Sequence, residues 1–171
     1  MPPSTDTPTP TSTPTLASRL HELISAAFSA IWVQTAEPHE AAREIIDLCH
    51  DETWRLGIWN CDSGIQFPLE QIAIPGVTET QDPLAVVRAM PQVSQGSGTT
   101  ILLFENLHRF LGSVELIQAL VRQIHQGKTS RCFVVVLAPI TQLPAELDKL
   151  FVCVDHELPD HAQLEKIARG V

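Results

Sequence analysis

The chain has few positive charges: its 171 residues carry 11 Lys and Arg side chains against 20 Asp and Glu, a formal net charge of −9. Partners that are bound by neutralising phosphates, such as DNA, RNA or an anionic membrane surface, are therefore not expected. Long apolar runs are also lacking, since runs such as 101–104 and 132–138 have the length of strands, whereas a bilayer span needs about 20 residues. The first fifteen residues hold no basic side chain, which argues against a secretory or transit signal and predicts a cytoplasmic location.

Motifs for thiol, metal or serine chemistry are missing from the sequence. The four cysteines, Cys49, Cys61, Cys132 and Cys153, show no CxxC spacing, so they are predicted to be free, buried thiols in a reducing compartment. The seven histidines form no HxH or HExxH pattern with a third ligand, and no GxSxG elbow is present. Neither a metal site nor acyl-transfer chemistry is expected.

One domain preceded by a tail is predicted. Residues 1–15 alternate Pro, Thr and Ser around a single charge; such a composition buries too little apolar surface to fold, so they are predicted to be a disordered tail. From Leu16 apolar residues recur at helical spacing, with Thr15 or Ser18 as the cap of the helix. A chain of this length forms one compact domain by default, here residues 16–171.

Short apolar strands alternate with amphipathic helices along the rest of the chain. The predicted strands cover residues 31–34, 54–60, 100–104, 132–137 and 151–154. The predicted helices start at Leu16, His39, Pro83, just after Ser113, at Pro144 and at Pro159. Continuous apolar strands are typical of strands buried on both faces, so we expect a three-layer α/β/α sandwich with a five-stranded, mainly parallel sheet. Residues 61–80 are expected to form an irregular excursion with at most a short hairpin.

The loop after the first strand is where α/β nucleotide-binding domains hold phosphate with glycines, backbone N–H groups and a lysine. In this chain the loop reads Thr35, Ala36, Glu37, Pro38, His39 and Glu40. Glycine and lysine are both missing, and two carboxylates stand where a polyphosphate would lie. We therefore interpret residues 35–39 as positions of a degenerate nucleotide site, and Glu37 and Glu40 as first-turn residues that complement the helix dipole.

The third predicted strand ends in Glu105 and Asn106, where hydrolases of this kind carry consecutive acids that hold magnesium and polarise a water. Since the amide of Asn106 leaves no general base beside Glu105, both belong to the degenerate site, and we expect them to form hydrogen bonds at the strand end. Coordination of a cation by Glu105 is the alternative. The glycines at 96 and 98 come before this strand, whereas a phosphate loop must follow a strand, so they are predicted to form a flexible turn.

A polar and aromatic group follows the same strand. His108, Arg109 and Phe110 lie at the expected carboxyl edge of the sheet and are a candidate partner contact, with Arg109 available to a carboxylate or to the nucleotide of a neighbouring subunit. The alternative is that Phe110 and Leu111 pack under the next helix.

The order of these segments resembles the N-terminal, phosphate-loop-lacking domain of AAA+ ATPases of the plastid and cyanobacterial open-reading-frame type. The resemblance covers residues 16–171, and the segments that carry it are Ala30–Thr35, Gly57–Asn60, Asp82–Leu84, Ile101–Leu111, Val134–Pro139 and Leu143–Leu147. It implies a P-loop-NTPase-like strand order of 5-1-4-3-2 over the five predicted strands. It also places the polar sensor of that family near Ala138 and Pro139, neither of which can act as one.

The resemblance further implies a non-catalytic domain that acts in assembly, regulation or substrate recruitment with an active ATPase domain. In that family a second AAA+ domain downstream carries the phosphate loop, so this chain is expected to be either a fragment or a free-standing relative that does not hydrolyse ATP. The expected partner is an AAA+ ATPase domain or a second copy of the chain, and no cofactor is expected. Two alternatives stay open: a weak NTPase-like enzyme that binds ATP and magnesium through Glu105, and a small-metabolite-binding α/β module that uses Asp62, Asp155 and His156.

Overall fold

The computed structural model describes residues 13–74, 76–96, 98–157, 164–165 and 168–170. Within these residues the strands are β1 (Ala30–Thr35), β2 (Arg55–Asn60), β3 (Gly64–Gln66), β4 (Thr100–Glu105), β5 (Cys132–Ala138) and β6 (Val152–His156). The helices are α1 (Leu16–Ser25), α2 (Pro38–Asp51), α3 (Pro83–Val93), α4 (Val114–Ser130) and α5 (Ala145–Asp148), with a 3₁₀ turn at Leu107–Phe110. Residues 1–12 of the predicted tail and the start of the predicted final helix at Pro159 lie outside this part of the chain.

The strands form one sheet in the order β3-β2-β4-β5-β1-β6, in which only the β2–β3 pair is antiparallel. For the five predicted strands this is the order 5-1-4-3-2, as the resemblance implied. The predicted number of five strands is wrong, because the short hairpin allowed for in residues 61–80 adds β3 at the edge. Its turn is stabilised by the Asn60 carboxamide oxygen, which accepts from the backbone N–H groups of Asp62 and Ser63, and by Gly64 at a φ of +72°.

Helices cover both faces of the sheet, because the buried strands carry apolar side chains on both sides. On one face Ile31 and Val33 pack against α1 and α2, which contribute Leu20, Ile24 and Ile45. On the other face, alternate side chains of the strands pack against α3, α4 and α5. This core includes Trp32, Trp59 and Phe104 from the strands and Met90, Leu120 and Leu147 from the helices. This arrangement gives the three layers that the continuous apolar strands predicted.

Side-chain caps fix where three of the helices begin. Thr15 accepts from the backbone N–H of Ser18 before α1, so Thr15, and not Ser18, is the cap. Asp82 accepts from Leu84 N–H before α3, and Ser113 accepts from Leu116 N–H before α4. Each cap satisfies one backbone donor that the first helical turn leaves without a partner.

The predicted burial of the cysteines is correct for two of the four residues. All four thiols are free; Cys49 and Cys132 are buried, but Cys61 and Cys153 are exposed. Cys61 lies in the β2–β3 turn. Cys153 lies on the edge strand β6, where side chains alternate between the two faces, so that Val154 points into the core and Cys153 points outward. Burial raises the pKa of the Cys49 and Cys132 thiols to about 12.

None of the helices in the described ranges is long and apolar enough to cross a membrane. The cytoplasmic location stays a prediction.

Candidate functional site at the carboxyl edge of the sheet

The parallel strands end at a common edge, where ligands of open α/β sheets bind. Thr35 of β1, His156 of β6, Glu105 of β4 and Asn60 of β2 stand at this edge. These polar strand-end residues are already hydrogen-bonded within the protein, and their partners determine what the edge can bind.

The connection from β1 to α2 is too short to form a phosphate loop. Only Ala36 and Glu37 lie between Thr35 and Pro38, the first residue of the helix, whereas the phosphate-loop motif spans about eight residues. The Glu37 backbone N–H donates to Thr35 Oγ1 at 3.0 Å, and Pro38 has no N–H to offer. Neither residue therefore offers a backbone N–H to a phosphate, because that of Glu37 is already hydrogen-bonded and Pro38 has none.

Two carboxylates, Glu37 and Glu40, follow β1, and the structure places only Glu40 in the first turn of α2, where both are predicted. Glu40 lies in the first turn of α2 and is 3.9 Å from the Arg43 guanidinium, an exposed pair. Glu37 occupies the N-cap position, but its carboxylate makes no capping hydrogen bond. Both side chains are exposed, so they set a negative potential at this end of the helix.

Thr35 is joined to a histidine and a glutamate from distant parts of the chain. Thr35 Oγ1 lies 2.8 Å from His156 Nδ1, and His156 Nε2 lies 3.3 Å from Glu44 Oε1 on α2. The other oxygen of Glu44 accepts from the backbone N–H of Ala17 at 3.3 Å. This chain of contacts, which we call the Thr35–His156–Glu44 relay, links α1, α2, β1 and β6.

The relay has the order hydroxyl, imidazole, carboxylate that activates nucleophiles in enzymes, but its geometry does not serve catalysis. Thr35 is only 3% exposed, and its oxygen also accepts the Glu37 N–H, so no substrate carbon can approach it. The relay therefore acts as a structural link across the edge. Sequence reasoning missed it because Thr35 and His156 become neighbours only through the pairing of β1 with β6, and Glu44 carries no motif.

Glu105 is held by the neighbouring strand. The Asn60 side-chain amide donates to Glu105 Oε2 at 3.3 Å, while the Asn60 carboxamide oxygen accepts from the turn that follows β2. Asn106 has a φ of +57°, a left-handed conformation that asparagine tolerates better than most residues. Its backbone N–H donates to Leu137 O at 2.8 Å. Both residues thus take part in hydrogen bonding at the strand end.

The 3₁₀ turn divides the candidate partner contact into a packed part and an exposed part. The Phe110 ring meets the Trp59 ring edge-on, with ring centroids 5.4 Å apart, and Leu111 is buried. Arg109 is exposed. Burial and the Arg109 guanidinium lower the pKa of His108, whose buried Nδ1 has no hydrogen-bond partner in the described part of the chain. Phe110 and Leu111 therefore belong to the core, and Arg109 is the accessible member of the group.

Beyond β5, the predicted sensor position carries no polar side chain. Ala138 is buried and pairs with Gln34 of β1. The chain that follows is fixed back to β1, because the indole N–H of Trp32 donates to Ile140 O at 3.1 Å and the Thr141 hydroxyl donates to Gln34 Oε1 at 2.9 Å. These contacts cover the edge between β5 and β1 with the protein's own groups.

The residues of the metabolite-binding alternative are not brought together. Asp62 follows β2, whereas Asp155 and His156 lie on β6, and four strand spacings separate β2 from β6, a distance of about 19 Å. His156 is also occupied by the relay. Among the described residues, no group of three or more His, Cys, Asp or Glu side chains is placed to hold a metal ion.

Comparison with protein families gives a match over most of the chain. The model of the SpoVK-like AAA ATPase N-terminal domain matches residues 16–156, which includes every strand and helix from α1 to β6. The match agrees with the predicted N-terminal domain of an AAA-type ATPase, while the narrower plastid and cyanobacterial type stays a prediction. A search of curated proteins gives no match.

Proposed function

We propose that this chain, which belongs to the SpoVK-like AAA ATPase N-terminal domain family, is a non-catalytic domain that serves an active AAA ATPase domain. Its role would be in assembly, in regulation or in recruitment of the substrate. ATP hydrolysis would lie in the partner domain, and this domain would bind no nucleotide of its own.

The observation that carries the proposal is the closed β1–α2 connection. Its two residues are too few to surround a phosphate, and Thr35, the residue that precedes them, is committed to Glu37 N–H and to His156. The exposed carboxylates of Glu37 and Glu40 would stand beside a triphosphate, and a like charge about 4 Å away opposes binding by about 1 kcal/mol even in bulk water. Geometry and charge thus act in the same direction.

The enzyme alternative has less support. It requires Glu105 to hold magnesium, but this carboxylate accepts from the Asn60 amide, and the residue beside it is Asn106 rather than a second acid. A magnesium ion in a nucleotide site also depends on the phosphates for several of its ligands. Without a phosphate loop, Glu105 would have to supply most of the affinity alone.

Calorimetric titration of the full chain with ATP and magnesium tests the proposal. We expect no binding tighter than about 100 µM, which corresponds to about 5.5 kcal/mol. A SpoVK-like domain with an intact phosphate loop, titrated in the same buffer, is the positive control. Tighter binding by this chain that is lost in Glu105→Gln would overturn the proposal and favour the alternative in which Glu105 holds magnesium.

The positive part of the proposal needs a second measurement. The rate of ATP hydrolysis by a catalytic SpoVK-like AAA domain would be measured with and without this chain, added separately or joined to it. We expect the rate, or its dependence on the concentration of the catalytic domain, to change when this chain is present. No change in either arrangement would contradict a role in assembly or regulation.

A further inference from the structure

The charges of the chain are divided between the two helical layers. Although the net charge is −9, the segment from Pro83 to Arg131 is basic. Its charged residues are Arg88, Arg109, Arg122, Lys128 and Arg131 against Glu105 and Glu115. This segment builds α3 and α4 on one face of the sheet, so the excess of acidic residues lies elsewhere, much of it on the opposite layer.

A groove between α3 and α4 collects two of these arginines. It is open to solvent, has a volume of about 500 Å³, and is lined by Arg88, Val114, Glu115, Gln118, Ala119 and Arg122. Both arginines are exposed and make no ion pair within the described residues. Glu115 accepts from the hydroxyl of Ser113 at 3.2 Å. Val114 is 67% exposed, so the groove offers an apolar contact beside two guanidinium groups without ionic partners, a combination that is typical of protein interfaces.

The opposite layer presents an acidic row of matching chemistry. Glu40, Asp47 and Asp51 are exposed on α2, and their spacings of seven and four residues place them on one side of the helix, which also carries the exposed Arg43. The two outer members have only weak, exposed partners, Arg43 at 3.9 Å and His50 at 3.5 Å. Asp47 has no ion pair among the described residues. We call this row the acidic face of α2.

We infer that the α3–α4 groove of one copy of the chain binds the acidic face of α2 of a second copy. Arginine forms paired hydrogen bonds to a carboxylate, so Arg88 and Arg122 can each receive one acidic side chain. Because the groove and the acidic face lie on opposite sides of the sheet, the contact is head-to-tail and propagates into a ring or a filament. This inference rests on the proposed role in assembly and specifies the surfaces that would meet.

A second copy fits the groove better than other anionic partners. Nucleic acid and anionic lipid carry negative charge over their whole length or surface, so the acidic surfaces around the groove would repel them. A second copy has the same net charge of −9, but in a head-to-tail contact its acidic α2 face meets the basic layer that carries the groove. The groove and α2 are also both exposed in a single chain, so neither has to rearrange.

Sedimentation velocity of the full chain tests the inference, from about 10 µM to about 1 mM protein and in low and high salt. We expect reversible self-association that weakens about tenfold or more in high salt. Arg88→Glu with Arg122→Glu, or Asp47→Arg with Asp51→Arg, should each weaken it by a further tenfold or so, since each places like charges across the contact. The control variant is Lys149→Glu with Arg169→Glu, at exposed positions outside the groove and the acidic face of α2. It changes the net charge by the same amount as Arg88→Glu with Arg122→Glu, and it should associate like the original chain.

Mixing the two reversed proteins is the decisive step. Each reversed protein carries a groove and an α2 face of the same sign, so each associates more weakly alone than the original chain. The α2 face of each protein nevertheless complements the groove of the other. We expect the mixture to associate with an affinity within about threefold of the original chain. The inference would be overturned if the chain stayed monomeric at the highest concentration, if the reversals had no effect, or if the mixture stayed dissociated. It would also be overturned if the groove bound a heparin fragment and the chain did not self-associate. A monomeric chain that fails to bind ATP would leave the proposed function standing, whereas tight ATP binding would remove it whether or not the chain associates.

Discussion

Replacing Thr35 by valine should destabilise the domain even though the two side chains have nearly the same shape. Thr35 is 3% exposed, and its hydroxyl oxygen lies 3.0 Å from Glu37 N and 2.8 Å from His156 Nδ1. Valine fills the volume but leaves both partners unsatisfied. Since a lost hydrogen bond at a buried site costs about 1 kcal/mol and an unsatisfied partner somewhat more, we expect the free energy of unfolding to fall by about 2 kcal/mol.

Chemical denaturation with a linear extrapolation measures this difference. For a domain of this size a change of about 2 kcal/mol also lowers the melting temperature by about 4–8 °C. Thr141→Val is the matched control, because Thr141 is exposed and its hydroxyl meets only the exposed Gln34, and it should change stability by less than about 0.5 kcal/mol. If Thr35→Val is no more destabilising than Thr141→Val, the relay does not stabilise this edge of the sheet.

A double-mutant cycle then assigns the effect to the histidine. His156→Leu removes the same contact from the other side, so the losses of Thr35→Val and His156→Leu should not add. We expect a coupling of about 0.5–1.5 kcal/mol between them. Additive losses would mean that the two side chains act separately.

Three further outcomes follow from other parts of the molecule. A Cβ on Gly127 would lie 2.5 Å from Cys132 O, so Gly127→Ala should lower the free energy of unfolding in denaturant by about 2 kcal/mol. Gly112 has open space around it, so an equal loss in Gly112→Ala would refute the steric explanation. Burial and Arg109 lower the pKa of His108 below 6.5, so the unfolded chain binds the proton more readily than the folded one. The free energy of unfolding should therefore fall as the pH drops through 6.5, and an NMR titration that gives His108 a pKa above 6.5 would contradict this. The Cys132 thiol, with a pKa of about 12, should resist a thiol reagent at pH 8 until the protein unfolds, and rapid labelling of Cys132 in the native state would show that it is accessible.

Local patterns in the sequence predicted much of the fold. The apolar runs at 101–104 and 132–137 became central strands because continuous apolar sequence can be buried only between two layers. Thr15 and Ser113 began helices through hydrogen bonds that span only three residues. The strand order agreed with the order that the family resemblance implied. These features depend on neighbours in sequence or on a known topology.

The features that were missed depend on contacts between distant residues. The relay joins His156 to Thr35 across 121 residues and to Glu44 across 112, and no local pattern encodes these separations. Strand β3 has only three residues, too short for alternation to be recognised. Cys153 stands on a strand that is apolar in sequence, but its position at the edge of the sheet leaves it exposed.

The amide spectrum of the ¹⁵N-labelled full chain, titrated with ATP and magnesium, tests the central claim most directly. The claim is that the β1–α2 connection cannot hold a triphosphate. Up to about 2 mM nucleotide, well above an affinity of about 100 µM, the amides of residues 36, 37, 39 and 40 should show no saturable shift. Saturable shifts confined to these residues and to Glu105 would place a nucleotide at the edge of the sheet and contradict the account.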